Sequence, residues 1–245
     1  MKCDALWVVG YEQIEVRPVD VPDPLYNEVQ IETKACGVCC WDAFQYRGMS
    51  GPGPYPYIIG HEAAGVISKV GAGVKNFSVG QKVFCASGSI VEMSQYFNIG
   101  SHCLAEMPGD SDDFVSWVAE PACTVQNVLN WANIRAGDNV VLVGAGYMGQ
   151  LTLMGLRAYP WGTLTAFETR EDRAAQARDY GHACVFNPEK PDGQAEISRI
   201  IAAGGADMVI EFSASDSGFA LANRLVRKAC GRLTEIGRAS CRERV

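Results

Sequence analysis

The sequence predicts an α/β protein with two domains, because its two halves follow different patterns. Up to about residue 132, short apolar alternations separated by turn-rich segments indicate a β domain. From about residue 134, strand-like and helix-like segments alternate, which predicts a parallel sheet with helices on both faces. A glycine-rich turn joins the first strand and helix of that second pattern. We place the boundary at residue 132, so the predicted domains are 1–132 and 133–245.

In the first domain, the pattern predicts strands at residues 5–9, 14–16, 28–33, 63–70 and 82–85. In the second, it predicts strands at residues 140–143, 164–167, 183–186, 208–212 and 232–236. The intervening helices are predicted at residues 147 to about 159 and about 171–180, with two more that end near residues 203 and 229.

The composition excludes several classes of protein. Of 245 residues, 48% are hydrophobic and 20% charged, which is typical of a globular protein. The net charge of −7, without a basic cluster, argues against nucleic acids and anionic membranes as partners. The first residues lack the pattern of a secretory signal, and the ten cysteines do not form a small disulfide framework. We therefore expect a cytoplasmic protein.

One uncharged run, residues 139–156, reaches the length of a membrane helix. It contains four glycines, and its first half has a valine-rich strand pattern. A strand followed by a buried helix explains the run better than a membrane span.

A dinucleotide-binding pattern lies within this run, at Gly144-Ala-Gly146-Tyr-Met-Gly149. The first glycine suits a tight turn, the second lets a pyrophosphate approach the backbone, and the third allows helix and strand to pack closely. Glu168 follows 19 residues after Gly149, where a carboxylate can accept the ribose hydroxyls of NAD. Arg170 could instead accommodate the 2′-phosphate of NADP. We favour NAD over NADP as the cofactor. The alternative to a dinucleotide site is a glycine-rich turn that binds no ligand.

A candidate metal site begins with the C-x-x-C at Cys36-Gly-Val-Cys39. The chain has no second C-x-x-C, so a four-cysteine structural zinc site is not predicted. A thioredoxin-like site would need a tight βαβ context, which the pattern does not show. On this segment alone, cysteines packed at the end of a strand are a real alternative.

Two further segments favour a metal. His61 lies 22 residues after Cys39 and is followed by Glu62, and Glu120 opens an apolar helical stretch before the second domain. A thiolate, an imidazole and a carboxylate suit tetrahedral Zn²⁺ with one position left for substrate. Spacing alone does not show that these side chains converge. Cys39 is the expected metal ligand, and the other nine cysteines are expected to pack.

Together these segments resemble the zinc-dependent medium-chain dehydrogenases. The resemblance rests on the G-V-C-x-x-D of residues 37–42, the G-H-E of 60–62, the E-P of 120–121 and the later G-x-G-x-x-G. It implies a GroES-like β-barrel domain with a catalytic zinc, followed by a Rossmann domain that carries NAD(P). Glutamate followed by proline at the third motif resembles the sorbitol, polyol and sugar dehydrogenase branch.

The resemblance also implies roles for individual residues. Cys39 and His61 would bind zinc, and Asp42 would orient the histidine. Glu62 and Glu120 compete for the remaining ligand position, directly or through water. Thr124 would lie near the nicotinamide.

Three departures from the family pattern stand out. Trp41 and Phe44 occupy the positions where a hydroxyl and a histidine commonly relay a proton, so that relay is absent. The segment around Cys85 lacks the four-cysteine lobe, so one catalytic zinc and no structural zinc are expected. The parallel sheet has five predicted strands instead of six, and residues 237–245 have a basic excess and no strand pattern. We therefore expect a Rossmann domain that is incomplete at its C-terminus.

The resulting hypothesis is oxidation of a secondary alcohol, in a polyol or sugar derivative, by hydride transfer to NAD. Its partner would be a small-molecule alcohol, with no nucleic acid or membrane, and the family suggests a homo-oligomer. One alternative is a zinc-free reductase of the same superfamily that acts on enones or quinones. Another is a truncated, non-catalytic chain that only binds dinucleotide.

Overall fold

The computed structural model describes residues 1–49, 53–86, 91–109, 111–181 and 183–236. These residues form two compact units, of which the first ends at Cys123 and the second begins at Thr124. The division falls within a helix that spans Glu120–Ala132. The domain boundary predicted at residue 132 lies at the end of that helix and stays a prediction.

The first unit contains two antiparallel sheets. Its elements are β1 (Lys2–Gly10), β2 (Gln13–Asp20), β3 (Glu28–Cys36), α1 (Cys40–Tyr46), β4 (Tyr57–Ile58), β5 (Ala63–Val70), β6 (Lys82–Cys85), β7 (Tyr96–Gly100), a 3-10 turn (Ser101–Cys103), β8 (Leu104–Glu106) and the start of α2 (Glu120–Ala132). The strand orders are β2-β1-β4 and β7-β3-β5-β6-β8. Val29, Ile31, Ile67 and Val83 are among the buried side chains that form the core of the larger sheet.

The pairing of β3 with β5 places the candidate metal site. Cys36, the last residue of β3, lies opposite Ala63, the first residue of β5. The residues that follow β3 and those that precede β5 therefore meet at the same end of the sheet. Cys39 and the pair His61–Glu62 belong to these two segments.

The sequence patterns miss four elements of this unit. Strands β4 and β8 have two and three residues, too few to show an alternation, and β7 includes Asn98 and Gly100, which disfavour strands. Helix α1 has seven residues, and only Asp42 and Gln45 on it are buried. Its helical period is thus too short to recognise.

The second unit is a five-stranded parallel sheet with helices on both faces, as predicted. Its elements are β9 (Asn139–Val143), α3 (Tyr147–Leu156), β10 (Thr163–Phe167), α4 (Glu171–Gly181), β11 (Cys184–Phe186), α5 (Pro191–Ala202), β12 (Met208–Glu211), α6 (Asp216–Leu225) and β13 (Arg232–Glu235). The strand order is β11-β10-β9-β12-β13. Val140 and Leu142 pack with α3 and α4, whereas Val141 and Val143 pack with α5 and α6. The predicted fold class is confirmed.

Two predicted helices end earlier than expected. At Tyr159 the backbone N–H donates to Leu156 O, three residues back, and Pro160 follows, so the α-helical bonding of α3 has already stopped. Helix α6 ends at Leu225 because Val226 is extended and forms a parallel bridge with Ala206. The predicted tail at residues 237–245 lies outside the described residues.

The uncharged run at residues 139–156 consists of β9, the glycine-rich turn and α3. Within the described ranges, no helix is both long and apolar enough to cross a membrane. The nine described cysteines form no disulfide with one another, and Cys241 lies outside these ranges. Cys40, Cys184 and Cys230 are exposed, so the expectation that every cysteine except Cys39 packs in the protein is wrong for these three.

Candidate metal and cofactor sites

Three of the four predicted zinc ligands lie together in the first unit. One ligand atom each from Cys39, His61 and Glu62 lies within 4.8 Å of the other two. Cys39 is the N-cap residue of α1, and His61 and Glu62 immediately precede β5. Their thiol, imidazole and carboxylate match the donors that zinc takes in proteins, so the residues present fit this metal.

Asp42 contacts both Cys39 and His61. Its Oδ2 accepts the backbone N–H of Cys39 at 2.8 Å, and its Oδ1 lies 3.5 Å from His61 Nδ1. The second distance is longer than a well-formed hydrogen bond. Asp42 is almost fully buried. Asp42 lies on the Nδ1 side of the imidazole, and Nε2 lies 3.9 Å from Glu62 Oε1.

These neighbours change the acid–base properties of the site. Interactions with Asp42, and to a lesser extent with Cys39, raise the pKa of His61 to about 10 when no metal is bound. Metal binding to His61 would therefore release a proton at neutral pH. Burial raises the pKa of Glu62; the charge of His61 opposes this shift and that of Glu120 adds to it.

Glu62 is confined by a glycine on the neighbouring segment. The N–H of Gly37 donates to Glu62 O at 2.9 Å. A Cβ atom at position 37 would lie 2.2 Å from Glu62 Oε2 and 2.9 Å from Val118 Cγ1. Any larger residue at position 37 would displace the Glu62 carboxylate.

Glu120 is not part of the close group. It lies in the first turn of α2, near enough for its charge to act on Glu62. Trp41 and Phe44, on α1, are both partly buried. Thr124 lies on α2 in the second unit.

Sequence reasoning missed one residue next to the metal group. Glu92 is fully buried, and its Oε2 accepts the N–H of Ala63 at 2.7 Å. A single acidic residue between apolar neighbours carries no motif. Only the fold shows that it lies against the residue that follows Glu62.

In the second unit, a cleft of about 510 Å³ opens beside the glycine-rich turn. Gly144 has φ of +90°, and a Cβ there would lie 2.6 Å from Ser213 N. A Cβ at Gly149 would lie 2.2 Å from Gly144 O. Gly146 lines the cleft at the N-cap position of α3. The turn thus has the positive φ and the close approach that the motif predicts.

Glu168 lines the same cleft and accepts hydrogen bonds from two backbone N–H groups beside it. Its Oε2 accepts the N–H of Ala145 at 2.8 Å, and its Oε1 accepts the N–H of Arg170 at 2.9 Å. The Arg170 guanidinium donates to Asp172 at 3.1 and 2.6 Å. Arg173 contributes a second guanidinium to the cleft.

An antiparallel β domain with a zinc-type donor set, followed by a parallel sheet with a dinucleotide-type turn, defines a class of two-domain dehydrogenases. The alcohol dehydrogenase GroES-like domain family matches residues 26–112, and the zinc-binding dehydrogenase family matches residues 133–243. The chain belongs to the zinc-type medium-chain alcohol dehydrogenases.

One named relative resembles the chain in sequence, and solved structures share its fold. A sorbitol dehydrogenase from Halalkalibacterium halodurans is 26% identical, over 93% of this chain and 74% of the relative. Among solved structures, a putative zinc-binding dehydrogenase from Sinorhizobium meliloti bound to NADP is 21% identical and has a TM-score of 0.80, over 97% of this chain and 77% of that one. An Escherichia coli alcohol dehydrogenase in complex with NADH has the same identity and TM-score, over 96% and 77%.

Proposed function

We propose that the chain is a zinc-dependent dehydrogenase that oxidises a secondary alcohol, in a polyol or sugar derivative, with transfer of hydride to NAD. The observation that carries this proposal is the convergence of Cys39, His61 and Glu62 in a chain whose second unit has a dinucleotide-type cleft. The likeness to a sorbitol dehydrogenase supports the substrate class. A cytoplasmic enzyme with a small-molecule substrate fits this role.

Cys39 and His61 would hold the metal, with Glu62 as the third ligand and Glu120 as the nearby alternative. When bound, zinc supplies a Lewis acid that lowers the pKa of the substrate hydroxyl, and NAD supplies the hydride acceptor. Asp42 lies on the Nδ1 side of His61, which leaves Nε2 for metal binding. Trp41 has no hydroxyl to take up the alcohol proton, so that proton leaves by another route.

The cleft supports NAD as the cofactor. The buried Glu168 carboxylate lines this cleft, and it is the acidic residue that the glycine-rich motif pairs with the ribose hydroxyls of NAD, where its charge would repel a 2′-phosphate. Asp172 pairs with Arg170, which reduces the positive charge that this arginine offers to such a phosphate. Arg173 is the competing guanidinium in the cleft, against which the Glu168 carboxylate acts. We expect NAD to be preferred over NADP by at least about tenfold in kcat/KM, a difference of about 1.4 kcal/mol.

The test combines zinc content with NADH formation from sorbitol-like, threonine-like and simple alcohols. Cys39→Ser should lose both zinc and turnover, whereas Cys184→Ser, at an exposed cysteine of the second unit, should keep both. Retention of zinc and full turnover by Cys39→Ser would overturn the proposal. A zinc-free chain that reduces enones or quinones would indicate the reductase alternative.

A further inference from the structure

The proposed function does not use the buried carboxyl group of Glu92, which adjoins the metal group. We propose that Glu92 is a positioning residue that holds His61 and Glu62 in the arrangement that binds zinc. This inference rests on the proposed zinc function. Its central contact is the 2.7 Å hydrogen bond from the N–H of Ala63 to Glu92 Oε2.

Glu92 forms hydrogen bonds with the residue before His61 and with the residue after Glu62. Its backbone N–H donates to Gly60 O at 3.1 Å, on the residue before His61. Its carboxylate accepts from Ala63, on the residue after Glu62. One residue therefore fixes both ends of the two-residue segment that supplies two candidate ligands.

Further backbone contacts hold the segment of Glu92 close to the segment of Gly60. The N–H of Met93 donates to Ile59 O at 3.0 Å, next to the bond between Glu92 and Gly60. Gly60 has φ of +101°, and a Cβ there would lie 2.6 Å from the backbone N of Met93. The two segments thus approach more closely than side chains would allow elsewhere.

A carboxyl group in this location is costly. Glu92 is fully buried, and its Oε1 has no hydrogen bond of ordinary geometry among the described residues, although the Cys85 thiol lies close enough to act on the carboxylate. Burial raises its pKa to about 7, while the hydrogen bond from Ala63 acts in the opposite direction. An apolar side chain would avoid this cost but could not accept the N–H of Ala63. The hydrogen bond is therefore what the carboxyl group contributes to the fold at this position.

The neighbouring thiols do not give Glu92 a separate metal-binding role. Cys85 and Cys36 lie near enough for the Glu92 charge to affect them. In the part of the chain that the structure describes, however, Glu92 belongs to no group of three metal-ligand side chains within reach of one another. Its contact with Ala63 links it instead to the Cys39–His61–Glu62 group.

The experiment compares zinc binding by the full chain and three variants of position 92. Glu92→Ala removes the acceptor, Glu92→Asp keeps the charge but is one methylene too short, and Glu92→Gln keeps an acceptor oxygen without the charge. The control is Glu28→Gln, because Glu28 also accepts a backbone N–H, that of Leu25 at 2.9 Å. Glu28 begins β3, about 26 Å along the strand from Cys36.

Zinc affinity is measured by competition with a chelator, the Co²⁺-loaded protein gives a visible spectrum of ligand geometry, and thermal unfolding reports stability. Glu92→Ala and Glu92→Asp should bind zinc about tenfold or more weakly and shift the Co²⁺ bands. Glu92→Gln and Glu28→Gln should remain close to the unsubstituted chain. If Glu92→Ala does not fold, the difference in zinc affinity between Glu92→Asp and Glu92→Gln tests the inference.

Three outcomes would overturn the inference. The variants Glu92→Ala and Glu92→Asp could bind zinc like the unsubstituted chain with the same Co²⁺ spectrum. Glu92→Gln could lose as much affinity as they do, which would show that an acceptor oxygen at the end of a side chain of this length is not sufficient. Glu28→Gln could lose as much as well, which would indicate general destabilisation. If the unsubstituted chain binds no zinc, the proposed function fails too, and this is known before any variant is compared.

Discussion

At the scale of single residues, small side chains and buried carboxyl groups determine where the candidate ligands lie. Gly37 leaves the space that the Glu62 carboxylate occupies, and Asp42 contacts both Cys39 and His61. These supporting residues are themselves buried or confined, so they can hold the ligand side chains with little freedom. Metal sites depend on such supporting contacts almost as much as on the ligands.

Gly37→Ala should weaken zinc binding roughly 10- to 100-fold, because the new methyl group would lie 2.2 Å from Glu62 Oε2. Gly37 has no positive φ, so the clash rather than backbone strain causes the loss. Chelator competition measures the effect. The control is Gly10→Ala, whose methyl group would meet only the end of the Gln13 side chain at 3.2 Å. Equal zinc affinity in the two variants would contradict this explanation.

Glu92 should also make folding stability depend on pH in the metal-free chain. Its pKa is raised from an ordinary 4.5 to about 7 in the folded chain. Between these values the unfolded chain has lost a proton that the folded chain keeps, so stability falls as the pH rises from about 4.5 to about 7. The contribution is at most about 3 kcal/mol.

Urea unfolding at several pH values in this window tests the effect. Glu92→Gln should lose this part of the pH dependence, and its stability relative to the unsubstituted chain should increase steadily as the pH rises. Glu28→Gln serves as the control for removal of a carboxylate. A constant difference between Glu92→Gln and the unsubstituted chain at every pH would show that Glu92 does not titrate in this range.

At the scale of secondary-structure elements, each candidate site lies where a strand is followed by a helix. Cys39 caps α1 three residues after the end of β3, and the glycine-rich turn joins β9 to α3. In the second case, the close approach of Gly149 to Gly144 O sets how near the helix lies to the strand. The same backbone provides N–H groups that would face a bound phosphate.

Gly149→Ala tests which effect dominates in α3. Helix propensity alone predicts that alanine stabilises the helix by about 1 kcal/mol. A methyl group 2.2 Å from Gly144 O must instead push α3 away from the turn, so we expect lower stability and loss of NAD binding. NAD titration and thermal unfolding measure both effects.

The control for this prediction is Gly155→Ala in the same helix. It has the same gain in propensity, and its nearest neighbour is a terminal side-chain carbon of Leu129 at 2.6 Å, not the backbone of the glycine-rich turn. It should therefore keep NAD binding. If Gly149→Ala binds NAD as well as Gly155→Ala does, the close packing of the turn is not needed for the cofactor.

The elements also show how far sequence patterns can predict this protein. Strands β5 and β6 have the predicted bounds, and all five strands of the parallel sheet are found. Strands β9, β10 and β12 each contain four consecutive buried residues, which give a continuous apolar pattern. The three-residue β11 and the partly buried β13 follow the same alternation of strands with helices. Motifs identified Cys39, His61 and Glu62, but not their convergence, which depends on the pairing of β3 with β5. Glu92 could not be predicted, because its role comes from a contact with Ala63, 29 residues away in sequence.

At the scale of the whole molecule, the chain consists of two units, each with its own buried core and its own candidate ligand site. The core of the larger β sheet lies in the first unit, and the two cores that flank the parallel sheet lie in the second. A ligand that binds only the folded form stabilises it by about 2.7 kcal/mol at one hundred times its dissociation constant. Each site can therefore be detected through the unit that forms it.

Hydrogen exchange followed by mass spectrometry should locate both sites in one protein. Zinc at one hundred times its dissociation constant should slow exchange in the first unit. The clearest effect should be at the amides of Gly37, Cys39 and Ala63. These amides donate hydrogen bonds to Glu62, Asp42 and Glu92, respectively. For amides that exchange by unfolding of the unit, the slowing should be about 100-fold. NAD should slow exchange around Ala145, whose N–H is bonded to Glu168.

Cys39→Ser should lose the zinc response and Gly149→Ala the NAD response, while each variant keeps the response to the other ligand. Removal of the metal with a chelator should restore the faster exchange at Ala63. A zinc response that persists in Cys39→Ser would place the metal elsewhere in the chain. An NAD response without change near Ala145 would place the cofactor outside the cleft, because the Ala145 amide lies in the turn that a bound pyrophosphate would cover.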